Sequence, residues 1–424
     1  MKKTLVALAA LSAVAGASAQ VTITGFFNGS YDNFSISNST RTSNTSENRV
    51  TDNSSRIIFG VNEKLTNDLN AIGQFDLRFN VDAQARINAV CATPAVAAQT
   101  AGAAAVAQTK ADAAGCAVPN PISSGNSHLG LASKSMGTFR LGRQDIHYTE
   151  NGHFNPAALP LLHNASGVAN TAAASTIVAR TSRTANLIWW TSPKFNNFDV
   201  TAGYSTNSQA ASGQQDTEND MASNQRKGGT TYIRLSYAQG PLAVVYSTIN
   251  EKLDWIGTAA TAPGVTGGPA AQAAQGAQAD RNGNIITAKY DFGSFKLGAA
   301  YFQNESTAYS GGVSGATSKR NAYQLGLGVP MGVQNIALTY TKVGSVKANG
   351  VESADTGATH TTLAYSYDFS KMTQGVLAYT VLNNQTNGAH SLFYNGDNVV
   401  GTIGSAAAAG EKHSATSVGL RVSF

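Results

Sequence analysis

The segment NAYQLGLGVPMGVQNIALTYTKV, residues 321–343, decides the fold class of this chain. In its first half, aromatic and aliphatic residues alternate with Gln and Gly; after a Pro-Met-Gly turn, they alternate with Ala and Thr. Side chains that alternate with a period of two lie on opposite faces of a β-strand. The segment therefore predicts two antiparallel strands joined by a short turn.

The same unit recurs along the whole chain. Six further hairpins are predicted at Ser54–Leu65 with Asn70–Val81, Asn126–Lys134 with Thr138–Arg143, Thr184–Ser192 with Phe198–Tyr204, Thr231–Ala238 with Leu242–Ile249, Ile285–Asp291 with Phe295–Phe302, and Thr361–Asp368 with Thr373–Val381. Single strands are predicted at Val21–Tyr31 and Ser414–Phe424. Seven hairpins and two terminal strands make sixteen, an even number whose first and last members can pair and close a cylinder. A cylinder of sixteen strands leaves an aqueous lumen.

The connections between these strands are unequal. Turns within hairpins are short, such as Gly293-Ser294, whereas the segments between hairpins are long and rich in small or polar residues. Short turns at one end and long loops at the other are typical of outer-membrane barrels. The alternative, a soluble β-sandwich or propeller, also has alternating strands. It explains poorly why one strand face is aliphatic or aromatic along nearly the whole chain. Two Ala-rich stretches, 83–125 and 257–278, lack any period that supports a packed core and are predicted to be surface loops.

The N-terminus has the pattern of an export signal. Lys2 and Lys3 precede an apolar run that ends near Val14, and the small residues Ala17-Ser18-Ala19 follow it. This order of charged, apolar and small residues predicts a signal peptide over 1–19, with the barrel over 20–424. The alternative is a transmembrane anchor, but the run is shorter than the ~20 apolar residues that a spanning helix needs.

Composition narrows the function classes. Charged residues make up 12% of the chain, where soluble domains carry about a quarter, and the net charge is only +5. A dense basic stripe is expected of nucleic-acid-binding domains, and none is present, so no nucleic-acid partner is predicted. Later in the chain there is no run of about 18 apolar residues, which argues against transmembrane helices.

Both cysteines lie in the stretch 83–125. An exported protein lives where disulfides persist, so a bridge between Cys91 and Cys116 is predicted. A catalytic thiol is the alternative, and the Ala-rich surroundings supply no base for it.

Three histidines cluster between the fifth and sixth strands. His147, His153 and His163 are spaced by six and ten residues, which matches no compact zinc pattern. A pore-lining or loop-packing role is favoured over metal binding. The chain also lacks the motifs G-x-S-x-G, Walker loop and H-E-x-x-H. The sequence therefore predicts neither an enzyme nor a cofactor.

Charges on the predicted inward faces are mostly basic. A lipid-facing Arg or Lys costs about 2–4 kcal/mol at the bilayer midplane, so strand charges are expected to face the lumen. Alternation places these residues inward: Arg56, Arg78, Arg140, Arg183, Arg234, Lys289, Lys296 and Arg421 against Asp76, Asp199, Asp291 and Asp368. For Lys296 and Arg421 the alternative is a position at the rim, where a charge does not affect ion choice.

Several short segments, in order, resemble the general porins of β-proteobacteria, the comamonad and neisserial type. They are Val21–Phe26, Ser55-Arg56, Asn70–Asp76, Leu141–Gln144, Arg183–Ile188, Thr191–Phe195 and the terminal Arg421–Phe424. The resemblance runs from Val21 to Phe424. The chain departs from the family at Gly125 and Asn126, where members often have arginine, and at Gly60.

The resemblance implies a 16-stranded transmembrane barrel that forms a homotrimer in outer-membrane lipid. It also implies a third external loop, Asp145 to Arg180, folded into the lumen as a constriction. The predicted constriction residues are Arg56, Asp76, Arg78, Arg140, Asp145, Glu150 and Arg183. Phe424 would be the signal read by the barrel-insertion machinery.

The leading hypothesis is an outer-membrane channel for passive diffusion of ions and small hydrophilic solutes, with weak to moderate anion preference. Clusters of fixed charge bias the ions that a pore conducts. A second hypothesis is a selective channel that binds a small organic anion among the arginines. A third is a plugged structural or adhesive barrel.

Overall fold

A computed structural model describes residues 20–40, 45–79, 81, 125–147, 183–206, 227–254, 278–310, 313–390, 392, 395–396, 399–400 and 407–424. The predicted signal peptide, the Cys91–Cys116 bridge, His153, His163 and Glu150 lie outside these residues. So does most of the predicted constriction loop, of which 145–147 are described.

The described structure consists of β-strands. They are β1 (Gln20–Ser37), β2 (Ser46–Asp52), β3 (Arg56–Lys64), β4 (Leu69–Arg78), β5 (Ser127–Ser133), β6 (Gly137–Gln144), β7 (Thr184–Thr191), β8 (Phe198–Ser205), β9 (Lys227–Gln239), β10 (Leu242–Asp254), β11 (Gln278–Asp291), β12 (Lys296–Ser310), β13 (Val313–Met331), β14 (Gln334–Val343), β15 (Lys347–Ala348), β16 (Val351–Glu352), β17 (Ala358–Asp368), β18 (Thr373–Asn384), β19 (Asn395–Gly396), β20 (Val399–Val400) and β21 (Lys412–Ser423). Among the residues described, no helix is long and apolar enough to span a bilayer.

Sixteen of these strands close into an antiparallel barrel. They are β1, β3 to β14, β17, β18 and β21, each paired with its neighbour. Closure comes from β1, which pairs with β3 on one side and along Phe26–Ser37 with β21 on the other. The predicted 16-stranded barrel is confirmed.

The outer half of β1 has a partner that the alternation did not predict. β2 pairs with β1 from Gly29 to Ser35. The strand is then interrupted at Asn53–Ser55, and β3 pairs with the first residues of β1. Ser54 has a φ of 64° at this break. The Ser55 hydroxyl accepts a hydrogen bond from the Asn28 backbone N–H at 3.0 Å, which holds the break against β1.

Short turns gather at one end of the barrel, as predicted, and most of the connections at the other end are long. One connection differs from the prediction. β12 and β13 are joined by residues 311–312 alone, because both strands run beyond the predicted ends and remain paired up to Ser310 and Val313. The residues that were expected to form a loop therefore extend the sheet as a hairpin.

The two faces of the barrel differ in chemistry. Large apolar side chains such as Ile23, Leu129 and Leu325 are exposed on the outer face. Their neighbours on the inner face are small or polar and are buried, for example Thr287 and Ser417. Because lipid solvates the outer face, this alternation is that of a transmembrane barrel strand.

Candidate functional site

An ionic network lies on the inner face of β3 and β4. The Asp76 side chain is 1% exposed, and its Oδ2 lies 3.2 Å from Arg78 Nε and 3.6 Å from Arg56 Nη1. Farther out, Arg78 Nη2 lies 4.0 Å from Asp145 Oδ2. We call these four residues, Arg56, Asp76, Arg78 and Asp145, the charged network.

The register of the two strands creates this network. Arg56 and Arg78 are direct cross-strand partners, a placement that is destabilising for two like charges. Asp76 stands two residues before Arg78 and so shares its face of the sheet. Its carboxylate lies within reach of both guanidinium groups and offsets their repulsion.

Gly125 and Asn126 complete the environment of the carboxylate. The Asn126 backbone N–H donates to Asp76 Oδ2 at 3.2 Å, and the Gly125 N–H donates to the Asp76 carbonyl at 3.2 Å. A Cβ atom on Gly125 would lie 1.9 Å from Asp76 Cγ. The absence of an arginine here thus has a local reason, since the carboxylate occupies the space that a side chain would need.

Asn126 also binds the segment that follows β6. Its Oδ1 accepts a hydrogen bond from the Asp145 backbone N–H at 2.9 Å. One residue thus contacts Asp76 through its main chain and Asp145 through its side chain. Asn126 therefore links the wall to the first residue of the predicted constriction loop.

Residues 145–147 turn into the barrel. Ile146 is 3% exposed and packs with the inward side chains of Leu187, Trp189, Tyr232 and Ile249, on β7, β9 and β10. The predicted loop therefore enters the lumen at its first residues.

His147 also holds the segment 145–147 inside the barrel, through a contact with β10. Its Nδ1 lies 2.8 Å from the Ser247 hydroxyl of β10, and the ring is fully buried. Burial lowers the pKa of His147 to about 3, so the ring is neutral at physiological pH. This contact agrees with the predicted loop-packing role of His147.

Arg140 lies apart from the charged network. Its guanidinium carbon is 5.9 Å from the centre of the Trp189 ring, and His128 meets the same ring edge-on at 5.4 Å. The three side chains belong to β5, β6 and β7 and face inward. Arg140 therefore places a positive charge on the wall, held by aromatic rather than carboxylate contacts.

Arg183 lies immediately before β7, next to an irregularity in the pairing of that strand. It precedes Thr184, which pairs with Gln144 at the end of β6. Between Thr184 and Leu187, β7 has one residue more than its partner strand, and Asn186 has a φ of 50°. A bulge of this kind reverses the alternation. The inward position of Arg183 therefore stays a prediction.

Phe26 lies between two arginines at the seam where the barrel closes. Its ring centre is 4.0 Å from the guanidinium carbon of Arg421 and 5.0 Å from that of Arg56. Phe424, the last residue, exchanges two backbone hydrogen bonds of 3.0 Å with Gly25. The C-terminus is thus part of the closing strand pair.

Other predicted lumen charges form pairs along the wall. Arg234 Nη2 lies 2.9 Å from Asp199 Oδ1, and Lys296 Nζ lies 3.1 Å from Asp291 Oδ2. Within the described ranges, no group of three or more His, Cys, Asp or Glu side chains is arranged to hold a metal ion.

The sequence prediction did not identify some residues of this site. Asn126, Trp189 and Ser247 contribute contacts that no motif marks, because each depends on a neighbour at least 19 positions away along the chain. Alternation could show that Trp189 faces inward, but not which charge it meets.

The profile of the Gram-negative porin family matches residues 5–387 of this chain. The chain belongs to the Gram-negative porins. A search of curated proteins finds no significant match.

Solved structures share the fold of this porin. An anion-selective porin from Comamonas acidovorans is 18% identical, with a TM-score of 0.63 over 96% of this chain and 100% of that one. OmpT, an outer membrane protein of Vibrio cholerae, is 14% identical, with a TM-score of 0.57 over 96% and 98%. OmpF of Salmonella typhi, in complex with daunomycin, is 15% identical, with a TM-score of 0.54 over 96% and 98%. At these identities the likeness concerns the fold.

Family and fold together establish the general role of the porin. It is an outer-membrane protein that crosses the bilayer with its strands and forms a channel for passive diffusion. The predicted family, fold, location and channel function are confirmed.

Proposed function

We propose that the porin conducts ions and small hydrophilic solutes with a weak to moderate preference for anions, and that the preference is set on the wall formed by β3 to β6. The observation that carries this proposal is the charged network, in which one buried carboxylate contacts two arginines.

The strength of the preference follows from the charge count. Among the predicted constriction residues described on this wall, Asp76 and Asp145 balance Arg56 and Arg78, and Arg140 is the remaining positive charge. Fixed charge in a lumen biases permeant ions according to its net sign. One net positive charge supports a modest preference rather than a strong one.

The same geometry bears on the second hypothesis, a channel that binds a particular organic anion. A binding site needs arginines whose hydrogen-bonding groups are available to the ligand carboxylate. Arg78 directs its Nε to Asp76, and its side chain is only 4% exposed. A general diffusion channel is therefore favoured. Neither enzymatic activity nor a cofactor is proposed.

Further parts of the proposal extend beyond the described residues. They are a homotrimer, a constriction loop over 145–180 that includes Glu150, export by the signal peptide 1–19, and a bridge between Cys91 and Cys116. Arg183, immediately before β7, is proposed to belong to the constriction as a wall residue. Recognition of Phe424 by the barrel-insertion machinery is proposed as well; the position of Phe424 in the closing strand pair supports it.

Planar-bilayer recording of the purified porin tests the proposal. Stepwise insertion of ohmic channels is expected, with a reversal potential in a tenfold KCl gradient that favours chloride modestly. A cation-selective potential would contradict the anion preference. Saturable block by one organic anion would favour the selective channel, and silence from a correctly folded protein would favour the plugged barrel.

A further inference from the structure

Arg421 lies on the inner face of β21, the strand that closes the barrel. Ser417, which shares its face, is buried, whereas its neighbours Leu420 and Val422 are exposed on the outer face. Val422 pairs with Thr373, the first residue of β18 after a short turn. Short turns mark the periplasmic end of an outer-membrane barrel. Arg421 therefore places a positive charge in the lumen near the periplasmic mouth.

The cross-strand row through Arg421 offers its guanidinium two kinds of partner. On one side, Gln374 of β18 is its direct neighbour and Asp368 of β17 follows. The Gln374 Nε2 donates to Asp368 Oδ1 at 2.7 Å, so this amide separates the arginine from the carboxylate. On the other side, β1 presents Asn28 as the direct neighbour and Phe26 two residues along the same face.

The guanidinium of Arg421 turns towards the aromatic ring. Its carbon lies 4.0 Å from the centre of the Phe26 ring, within the range of a cation–π contact. No carboxylate in the described part of the chain forms an ion pair with Arg421. The side chain is thus held against the wall on the side away from Asp368, and its positive charge is not compensated there.

Phe26 connects Arg421 to the charged network across the seam where the barrel closes. The guanidinium carbon of Arg56 lies 5.0 Å from the centre of the same ring. Arg56 Nη1 in turn lies 3.6 Å from Asp76 Oδ2. A line of contacts therefore runs from the periplasmic end of β21 to the wall of β3 and β4. Along this line, Asp76 compensates Arg56, whereas the contact that Arg421 makes is with a neutral ring.

Lys296 shows the difference between this arginine and a charge at the rim. Its Nζ lies 3.1 Å from Asp291 Oδ2, and both side chains are more than a third exposed, at 39% and 37%. Water and salt screen such an exposed pair, and its two opposite charges cancel at a distance. Of the two residues for which the sequence allowed a rim position, Lys296 fits the rim and Arg421 fits the lumen wall.

We propose that Arg421 is a second selectivity residue of the channel, which attracts anions at the periplasmic mouth separately from the charged network, and that Phe26 positions its guanidinium. The proposal rests on the channel function above and deepens it. A fixed charge acts over about one Debye length, ~10 Å at 0.1 M salt. A charge near one mouth therefore acts chiefly through the solution that fills that mouth, and its effect depends on which side of the membrane is dilute.

Reversal potentials in a tenfold KCl gradient test this proposal, with protein added to one side of a planar bilayer and the gradient applied in both directions. The wild type should give two different chloride-to-potassium permeability ratios, the larger when the dilute solution bathes the periplasmic mouth. Arg421→Gln is expected to lower the larger ratio by roughly 1.5-fold and to change the smaller one less, because salt screens the charge in the second case.

Two control variants accompany Arg421→Gln. Arg421→Lys keeps the charge and should keep the wild-type ratios. Lys296→Gln/Asp291→Asn removes an ion pair of no net charge from the same end and should also behave like the wild type. If Arg421→Gln inserts, conducts and gives the wild-type ratios in both directions, the proposal is overturned. If the wild type forms no channel or prefers potassium, the proposed function itself fails.

The wild type and Phe26 supply independent readouts should Arg421→Gln fail to insert. Equal ratios in the two gradient directions for the wild type would overturn a selective charge at one mouth. Phe26→Leu removes the ring that holds the guanidinium away from Asp368, so the difference between the two directions should shrink. Phe26→Tyr keeps a ring and should retain the difference. A difference of wild-type size in Phe26→Leu would overturn the positioning role of Phe26.

Discussion

The charged network and the apolar row face the same lumen but are built on opposite principles. In the charged network, two arginines and two aspartates, of which Asp76 and Arg78 are buried, contact each other at 3.2–4.0 Å. The apolar row is Ile285, Phe302, Ala322, Val343 and Ala358, whose side chains have no polar atoms, meet across five strands and belong to one buried cluster. Both regions stand on paired antiparallel strands, so the difference lies in which residues occupy the inward positions. The contrast shows that one barrel can place charged and apolar side chains on different parts of its inner wall.

The largest expected effect is the loss of the shared carboxylate. Asp76→Asn leaves two neighbouring arginines without their common counter-charge and should lower the free energy of unfolding by about 3–5 kcal/mol. It should also shift the reversal potential towards chloride. Asp199→Asn, whose partner Arg234 is 28% exposed, should cost only about 1 kcal/mol. Equal losses in denaturant unfolding of the two folded variants would show that burial of the network is unimportant.

A matched pair of leucines probes the apolar side. Leu382 is fully buried in the lumen, whereas Leu377, on the same strand, is 50% exposed on the lipid face. Leu382→Ala should lower the free energy of unfolding by about 2–5 kcal/mol, since it opens a cavity in a packed cluster. Leu377→Ala should cost clearly less in detergent micelles. The reverse order would mean that the inner cluster is not packed as described.

Gly125→Ala tests the tight approach to Asp76. The new methyl group would displace the carboxylate and should cost about 1–3 kcal/mol, the usual range for overpacking. Gly73→Ala is the control, because a Cβ there meets no atom closer than 3.8 Å. A Gly125→Ala variant as stable as the control would contradict the assigned position of the Asp76 side chain.

Arg140→Gln should have the smallest effect on stability and a visible effect on ion choice. The contact with Trp189 contributes about 1 kcal/mol or less, so the free energy of unfolding should hardly change. The reversal potential should move away from chloride, because the excess positive charge of this wall is removed. An unchanged potential would place the source of anion preference elsewhere.

The sequence predicted the barrel because the alternation that marks a strand is visible within that strand alone. Lipid on one side and lumen on the other impose a period of two on every strand, and this period is visible in one hairpin. Prediction failed where a local irregularity interrupts the period. β2 pairs with β1 where no partner was expected, and the long pairing of β12 with β13 replaces an expected loop.

The candidate site was predicted only in part, for a related reason. Alternation identified Arg56, Asp76 and Arg78 as inward residues, and the register then brought them together. Asn126 belongs to no pattern, since its role comes from contacts with distant segments that only the folded chain creates.

The most direct test of the charged network as the source of ion preference is the reversal potential of Arg56→Gln/Arg78→Gln in a tenfold KCl gradient. In this variant Asp76 and Asp145 remain on the wall without the two arginines. The potential should therefore move from modest chloride preference towards potassium, in channels that still insert and conduct. A potential identical to that of the wild type would contradict the account.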